Sequence, residues 1–356
     1  MWEAFPQTTE FYSVWPEETI DEPRRGRHIV SLRNLSYLAR RLGDPSFDLI
    51  VVHAPSLSPW SGRAIMRNLF RRSVLRGRFS LFRAFAPELL RRAPATPLAV
   101  IDLDDATTIA RANTFLLDRS ALYFKRELPA DHWQAFAGTL HWHVPTPRFR
   151  ARAKNSERVA KLRPISLAVP FGAREKVSAL PAAEEKSIDV FFAGRIHNSA
   201  TVRERGFEEL NVLRQEGYAI DVSEGPIDGK EYFARCARAY LVWSPEGYGW
   251  QCFRTYEAAI CGAVPLCNRP GIERYRPLME GVHALYYDVE PGNLTDVVRS
   301  ALSDRPRLRA IAEASRRHVL AFHTPEVIAR HVVDATLAAA GRRPITLPGI
   351  SNDADE

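Results

Sequence analysis

The chain has 356 residues, a net charge of +7 at neutral pH, an apolar share of 46% and four cysteines. That apolar share supports packed cores and excludes a disordered chain, and the length suits two domains of roughly 150 residues each. No apolar run approaches the ~20 residues that cross a bilayer, and the start, Met1 to Gln7, has neither the basic nor the apolar region of a secretion signal.

The expected compartment is therefore the cytoplasm. Cys236, Cys252, Cys261 and Cys267 fit no zinc spacing and read as reduced, buried thiols. Residues 1 to 28 are rich in proline and charge, with room for one short strand around Glu10 to Trp15. Ser31 to Leu42 has helical spacing, and Phe47 to His53 reads as a strand whose terminal His53 can face a cleft. From Arg63 to Arg92 nine arginines stand against Glu88, with Ile65, Met66, Leu69, Phe70 and Val74 between them at helical spacing. Such a helix packs on its own sheet with its arginines in water, or lies on an anionic membrane surface. No nucleic-acid module accompanies the charge, so nucleic acid is not an expected partner.

Leu98 to Leu103 is the next strand, ending in Asp102-Leu103-Asp104-Asp105. This acidic end has three readings. Asp105 can cap a helix beginning near Thr107, leaving a solvated strand end. The pair Asp102 and Asp104 can hold a divalent ion. It also resembles, with Thr107, the nucleophile motif of the haloacid-dehalogenase-like phosphatases, which implies a Mg-dependent phosphatase. Ala121 to Lys125 is a third strand. His132 and then His141 and His143 follow; the latter two share one face of a strand, but no third metal ligand stands at a recognisable spacing. An acceptor-side or interdomain role is the alternative. Ile165 to Val169 reads as the last strand before an interdomain segment at 173–186.

The C-terminal half alternates strands and helices, which implies a parallel sheet covered on both faces. Ser187 to Ala193 is a buried-strand run ending in Gly194-Arg195, with His197, Arg203 and Arg205-Gly206 beyond it. Leu241 to Trp243 ends a second strand and leads into Ser244-Pro-Glu246-Gly247-Tyr248-Gly249. A helix from near Trp250 puts Arg254 and Glu257, three apart, on one face. Gly262 ends it, and Ala263 to Cys267 is the next strand. Then come a helix over Glu273 to Glu280, a strand over His283 to Val289, and helices over Leu294 to Leu302 and Arg305 to Ala321. The last helix is announced by Thr324-Pro325-Glu326 and closed by Gly341. A glycine loop feeding a helix N-terminus suits a diphosphate, and an acidic residue a turn further can accept hydrogen bonds from a ribose. The combination suggests a nucleotide-sugar site.

The residues Ser244-Pro245, Glu246-Gly247-Tyr248-Gly249, Arg254-Thr255-Tyr256-Glu257-Ala258, Gly262 and Pro265-Leu266 resemble the nucleotide-sugar signature of group 1 glycosyltransferases with the GT-B fold. The Arg254 to Glu257 form is similar to the CgeB-like branch, as is Tyr123 to Glu127, and exostosin-type enzymes carry something comparable. The resemblance implies an α/β protein of two Rossmann-like domains facing a cleft, with parallel sheets and helices on both faces. Residues 1–172 would form an acceptor-side domain lacking the usual glycine-rich first loop. Residues 173–186 would be the linker, 187–340 the nucleotide-sugar domain and 341–356 a flexible tail. It further implies Gly194, Arg195 and Arg254 at the diphosphate, Glu257 at the ribose, and Glu246, Gly247, Tyr248 and Gly249 near the sugar, with His197 bordering the donor. Arg195, Glu246 and Arg254 would carry the chemistry. No metal and no cofactor beyond the donor is implied, and the acceptor would be a glycan, a lipid-linked molecule or another hydroxyl. Glu246 and Glu257 are eleven apart, wider than in the larger group. That spacing keeps a non-catalytic glycan-binding relative open beside the transferase, and retention or inversion stays open too.

Overall fold

A computed structural model describes residues 4–5, 7–13, 27–30, 35–54, 86–92, 96–141, 144–149, 153–180, 185–197 and 201–347. Contacts divide the chain into two compact units, residues 1–164 together with 329–356, and residues 165–328. Most of the arginine-rich stretch at 63–92 lies outside the described residues; its end, Ala86–Arg92, is a 3-10 turn.

In the first unit, β1 (Phe11–Ser13) and β2 (Arg27–Ile29) form a parallel pair, and α1 spans Leu35–Leu42. The main sheet contains β3 (Ile50–His53), β4 (Leu98–Asp102) and, after α2 (Thr114–Arg119), β5 (Leu122–Lys125). A hairpin of β6 (Ala137–His141) and β7 (Val144–Phe149) and the helix α3 (Lys154–Val159) precede the fourth strand, β8 (Leu162–Pro164). The four strands run parallel in the order β3-β4-β5-β8, with Val52 opposite Val100 and Tyr123 opposite Leu162. The nearly continuous apolar runs of β4 and β5 suit strands covered on both faces, and Leu98, Val100, Tyr123, Leu116 and Leu162 share one core. His141 lies in β6, but its side chain and the whole of His143 lie outside the described residues.

The acidic end of β4 differs from the expectation of a helix cap. No helix begins near Thr107; the next helical turn is Arg111–Asn113. Asp102 is buried, and one of its oxygens accepts from the Tyr123 hydroxyl at 2.7 Å and from Lys125 Nζ at 3.3 Å. Asp105 pairs with Arg126 rather than with helix amides. These carboxylates are engaged by the strand end of β5, a contact across 21 residues that local spacing does not reveal. Among the described residues no group of three His, Cys, Asp or Glu side chains could hold a metal ion.

The expected strand at 165–169 is also corrected. Pro164 has no amide with which to continue the ladder, so the strand ends there. The Ile165 carbonyl accepts from Gln251 Nε2 at 3.1 Å, and the Val169 amide donates to the His323 carbonyl at 2.8 Å. Within 173–186 lies a helix, α4 (Ala173–Ser178), entered through Gly172 at a φ of 74°. Ala173 belongs to the core of the second unit with Val169 and Phe233. Lys186 anchors the far end of the segment by donating to the carbonyls of Ala237, Ala239 and Gly262, and burial pulls its pKa down to about 8.

The second unit continues with β9 (Ile188–Ala193), α5 (Thr201–Gln215), β10 (Ile220–Ser223), α6 (Gly229–Arg238), β11 (Ala239–Trp243) and α7 (Phe253–Ile260). After it come β12 (Val264–Asn268), β13 (Leu285–Tyr287), α8 (Asn293–Leu302), α9 (Arg305–Phe322) and α10 (Pro325–Ala339). Its five strands are all parallel in the order β10-β9-β11-β12-β13. Phe191, Val242, Phe233 and Val319 fill one face, and Phe192, Trp243, Leu210 and Val298 the other. Gly206 lets α5 lie directly on the Trp243 ring, where a Cβ would collide. The far end of α10 leaves this unit: Ala329, Val333 and Leu337 pack with Phe5 and Leu347. Among the described residues no helix is long and apolar enough to cross a membrane.

The helix expected over Glu273 to Glu280 is a loop. Arg276 precedes a proline, which disfavours helical backbone, and it sits at a φ of 41°. Its carbonyl accepts from both His318 Nε2 and His323 Nε2 at 2.9 Å, while the His323 Nδ1 accepts from the Ser166 hydroxyl at 2.9 Å. His323 is only 1% exposed, and burial lowers its pKa from 6.5 to about 4. As pH falls through 6.5 the unfolded chain takes up this proton before the native chain does, so stability is lost progressively toward pH 4, by about 3 kcal/mol. In urea titrations the advantage of the wild type over His323→Asn should therefore shrink between pH 7.5 and pH 4.5; a constant gap would refute the neutral, buried imidazole.

Candidate functional site

In the second sheet the chain moves from β9 outward to β10 and then returns past β9 to β11. The order reverses between β9 and β11, and in open α/β sheets ligands bind outside the strand ends at such a point. A cavity of about 470 Å³ opens there. It is lined by Ala193 and Gly194 after β9, the loop from Gly225 to Gly229 after β10, and Cys252, Phe253, Arg254 and Glu257 after β11. Tyr232 of α6 and Phe171 and Lys176 at α4 complete the wall.

Arg254 is the centre of this arrangement. Its residue is 8% exposed, its Nη2 donates to the Ala193 carbonyl at 2.7 Å, and its Nη1 meets the Cys252 sulfur at 3.8 Å. The guanidinium lies 4.4 Å from the centre of the Phe192 ring, and its Nε is buried with no hydrogen-bond partner. Burial opposes the charge, but the fields of Cys252, Tyr232 and Glu257 outweigh it and hold the pKa above the ordinary value. On the same Phe192 ring, 6.0 Å away, lies Arg203. It donates from Nε to the Glu246 carbonyl at 2.9 Å and from Nη1 to the Arg195 carbonyl at 3.0 Å. Burial, and then the charge of Arg254, depress its pKa. Two guanidiniums thus share one phenyl ring, and the partners just named are carbonyls and a sulfur rather than carboxylates.

The helix α7 begins at Phe253, three residues later than expected, because Gln251 is buried and bonded to Ile165 and Tyr256. Cys252 gives it no side-chain cap. One turn in, Glu257 accepts from the Tyr232 hydroxyl at 2.8 Å through Oε2. Burial raises the Glu257 pKa, against the lowering effects of Tyr232, Arg254 and Lys176.

Of the residues singled out by sequence, Gly194, Arg254 and Glu257 line the cavity together. Arg195 and His197 are exposed beside it, and His197 Nδ1 lies 3.4 Å from Glu204. Glu246, Gly247, Tyr248 and Gly249 lie outside the lining, as does Arg203, which joins the Glu246 carbonyl to that of Arg195. The Glu246 amide donates to Asn268 Oδ1 at 2.8 Å, the Gly247 amide to the Gly249 carbonyl at 3.1 Å, and Tyr248 is 58% exposed. A Cβ on Gly247 would stand 2.7 Å from Arg203 Nη2.

Residues 183–334 match the family model described as Glycosyl transferase-like. This stretch is similar to that family. Among solved structures, the chain is similar to an α-glucosyltransferase in complex with UDP-glucose and DNA containing an abasic site, at 11% identity and a TM-score of 0.50, with 88% of this chain and 86% of that one covered. It is similar to a glycosyltransferase from Rickettsia africae ESF-5 at 8% identity and a TM-score of 0.50, covering 88% and 84%. No curated protein matches the sequence. At these identities the likeness is one of fold, and with the two parallel sheets it gives the chain a two-domain α/β architecture of the GT-B type.

The cavity also includes residues that local spacing left out. Tyr232 bonds Glu257 from α6, and Lys176 of α4 lines the same cavity. Asp228, which caps α6 through the amides of Lys230 and Glu231, was a readable signal for the helix that carries Tyr232. Gly194 has a φ of 150°, and a Cβ there would stand 2.8 Å from Arg254 Nη2. Gly194→Ala should cost about 1–3 kcal/mol of stability and push the guanidinium off the Ala193 carbonyl. Chemical denaturation at neutral pH checks this; wild-type stability would show that Arg254 is not wedged against the glycine.

Proposed function

We propose that the chain is a glycosyltransferase of the group 1 type, with CgeB-like character, that binds a nucleotide-sugar donor in the cavity at the β9/β11 junction. One observation carries the reading: a buried arginine lines the same cavity as a carboxylate three residues further along the helix. A nucleoside diphosphate is complementary to both. Its phosphates would pair with Arg254, and its ribose hydroxyls would donate to Glu257. The family match over 183–334 supports the same chemistry.

In this reading the chain's own charges serve the departing diphosphate. Arg254, Arg203 and the uncapped first amides of α7 would stabilise negative charge as the bond to the sugar breaks. Arg195 would add a further cation from the exposed end of the Gly194 loop. The transfer is accordingly proposed to need no divalent ion. Glu246 to Gly249 would border the donor sugar, with Arg203 holding the loop backbone, and the acceptor would be a hydroxyl of a glycan or lipid-linked molecule.

A thermal-shift screen against UDP-, GDP-, ADP- and dTDP-sugars, with and without chelator, tests the proposal. One nucleotide family should raise the melting temperature in both conditions. Silence across all four would remove the donor reading, and stabilisation abolished by chelator would remove the metal-free part. Arg254→Ala should weaken the binding nucleotide by about 1.5–3 kcal/mol, the range for hydrogen bonds to charged groups. Glu257→Ala should weaken it comparably while the far-ultraviolet circular dichroism stays unchanged. Titration calorimetry showing wild-type affinity in either variant would strip that residue of its role.

A further inference from the structure

We infer that Tyr232 is a positioning residue of this site, holding Glu257 by one carboxylate oxygen so that the other, Oε1, is presented to the ribose hydroxyls of a bound nucleotide. The inference rests on the donor reading above and adds to it a residue 25 positions away on another helix. Tyr232 lines the cavity and donates to Glu257 Oε2 at 2.8 Å. Its ring is itself fixed, 5.8 Å from Phe191 of β9 and 5.3 Å, edge-on, from Phe233. Those two neighbours are buried core residues, so the phenol has one direction in which to point. A glutamate loses rotamer freedom when it is ordered. Here the ordering precedes the ligand, which is what preorganisation contributes to affinity.

The hydrogen bond also acts on the charge of Glu257. The groups that face this carboxylate are Tyr232 and Cys236 on α6, Lys176 on α4 and Arg254 on α7. Burial favours the protonated acid, and the Tyr232 bond, Arg254 and Lys176 favour the carboxylate. The phenol itself stays protonated, since burial and then the fields of Cys236 and Glu257 push its pKa far up. Removing the hydroxyl would therefore move Glu257 toward its neutral form at a higher pH, where it accepts less well from a ribose.

Calorimetric titration of the full chain tests this with whichever of UDP, GDP, ADP or dTDP binds, paired with its 2′,3′-dideoxy counterpart, from pH 5.5 to pH 8. Tyr232→Phe keeps the ring contacts, and its melting temperature checks the fold. The wild type should prefer the hydroxylated nucleotide. In Tyr232→Phe that preference should fall about three- to tenfold, as expected for one lost hydrogen bond, with dideoxy affinity unchanged and the loss growing toward acid. Glu257→Gln should reduce the preference without this acid dependence. Wild-type protein that binds no diphosphate overturns the donor reading and this inference with it. Binding without hydroxyl preference removes the ribose role of Glu257 and hence the task assigned to Tyr232. A wild-type preference and pH profile in Tyr232→Phe overturns this inference alone and leaves the donor reading standing.

Discussion

A guanidinium buried at the meeting of two strand ends is the constraint around which the second unit is arranged. An unpaired buried charge is costly, so the surroundings of Arg254 must either neutralise it or share it out. They share it: one nitrogen goes to the Ala193 carbonyl, one to the Cys252 sulfur, and the flat cation lies on Phe192. The third nitrogen is left without a protein acceptor. Each of these contacts fixes something else. Gly194 has to lack a side chain because Arg254 occupies the space. Phe192 has to face that side of β9, which puts Phe191 on the other side under Tyr232. Arg203, stacked on the same ring, then joins the loops after β9 and β11 through their carbonyls.

Two carboxylates, one at the end of β4 and one on α7, are treated in opposite ways. In the first unit one Asp102 oxygen accepts from Tyr123 and Lys125 of the neighbouring strand and the other from the Asp104 amide. In the second, Glu257 accepts from Tyr232 through Oε2. A tyrosine meets a carboxylate in both places, buried at Asp102 and half-buried at Glu257. What distinguishes them is the adjoining lysine: Lys125 is fully buried and in contact, whereas Lys176 is exposed at the cavity wall. The first arrangement closes a strand end, and the second places its carboxylate at the wall of a cavity.

Much of the second unit could be read from its residues. Strands such as Ile188 to Ala193 are apolar on both faces, and glycines at 194 and 262 carry positive φ at turns where glycine was expected. The spacing of Arg254 and Glu257 put both on one helix face, and both line one cavity. What escaped was set by contacts between distant segments. The loop over 273–280 has helical composition, but Pro277 and the two histidines bonded to the Arg276 carbonyl decide its path. A helix inside 173–186 was hidden by its shortness and owes its place to Ala173 in the core. Tyr232 looked like any aromatic on an amphipathic helix, since nothing near it in sequence points to Glu257. In the first unit the strands β3, β4 and β5 followed from their apolar runs and their parallel order from the resemblance, whereas the fate of Asp102 and Asp105 depended on Lys125 and Arg126, more than twenty residues away.

The return of α10 to the first unit has a consequence for how the protein is made. Residues 165–328 are contiguous and can begin to fold as soon as they leave the ribosome. The other unit is split: Phe5 packs with Ala329, Val333, Leu337 and Leu347, which are synthesised only after residues 165–328. Phe5 must therefore remain incompletely buried until they emerge. Deleting the chain from Ala329 onward would leave the core of residues 165–328 in place while stripping Phe5, more than 300 positions away, of its packing partners.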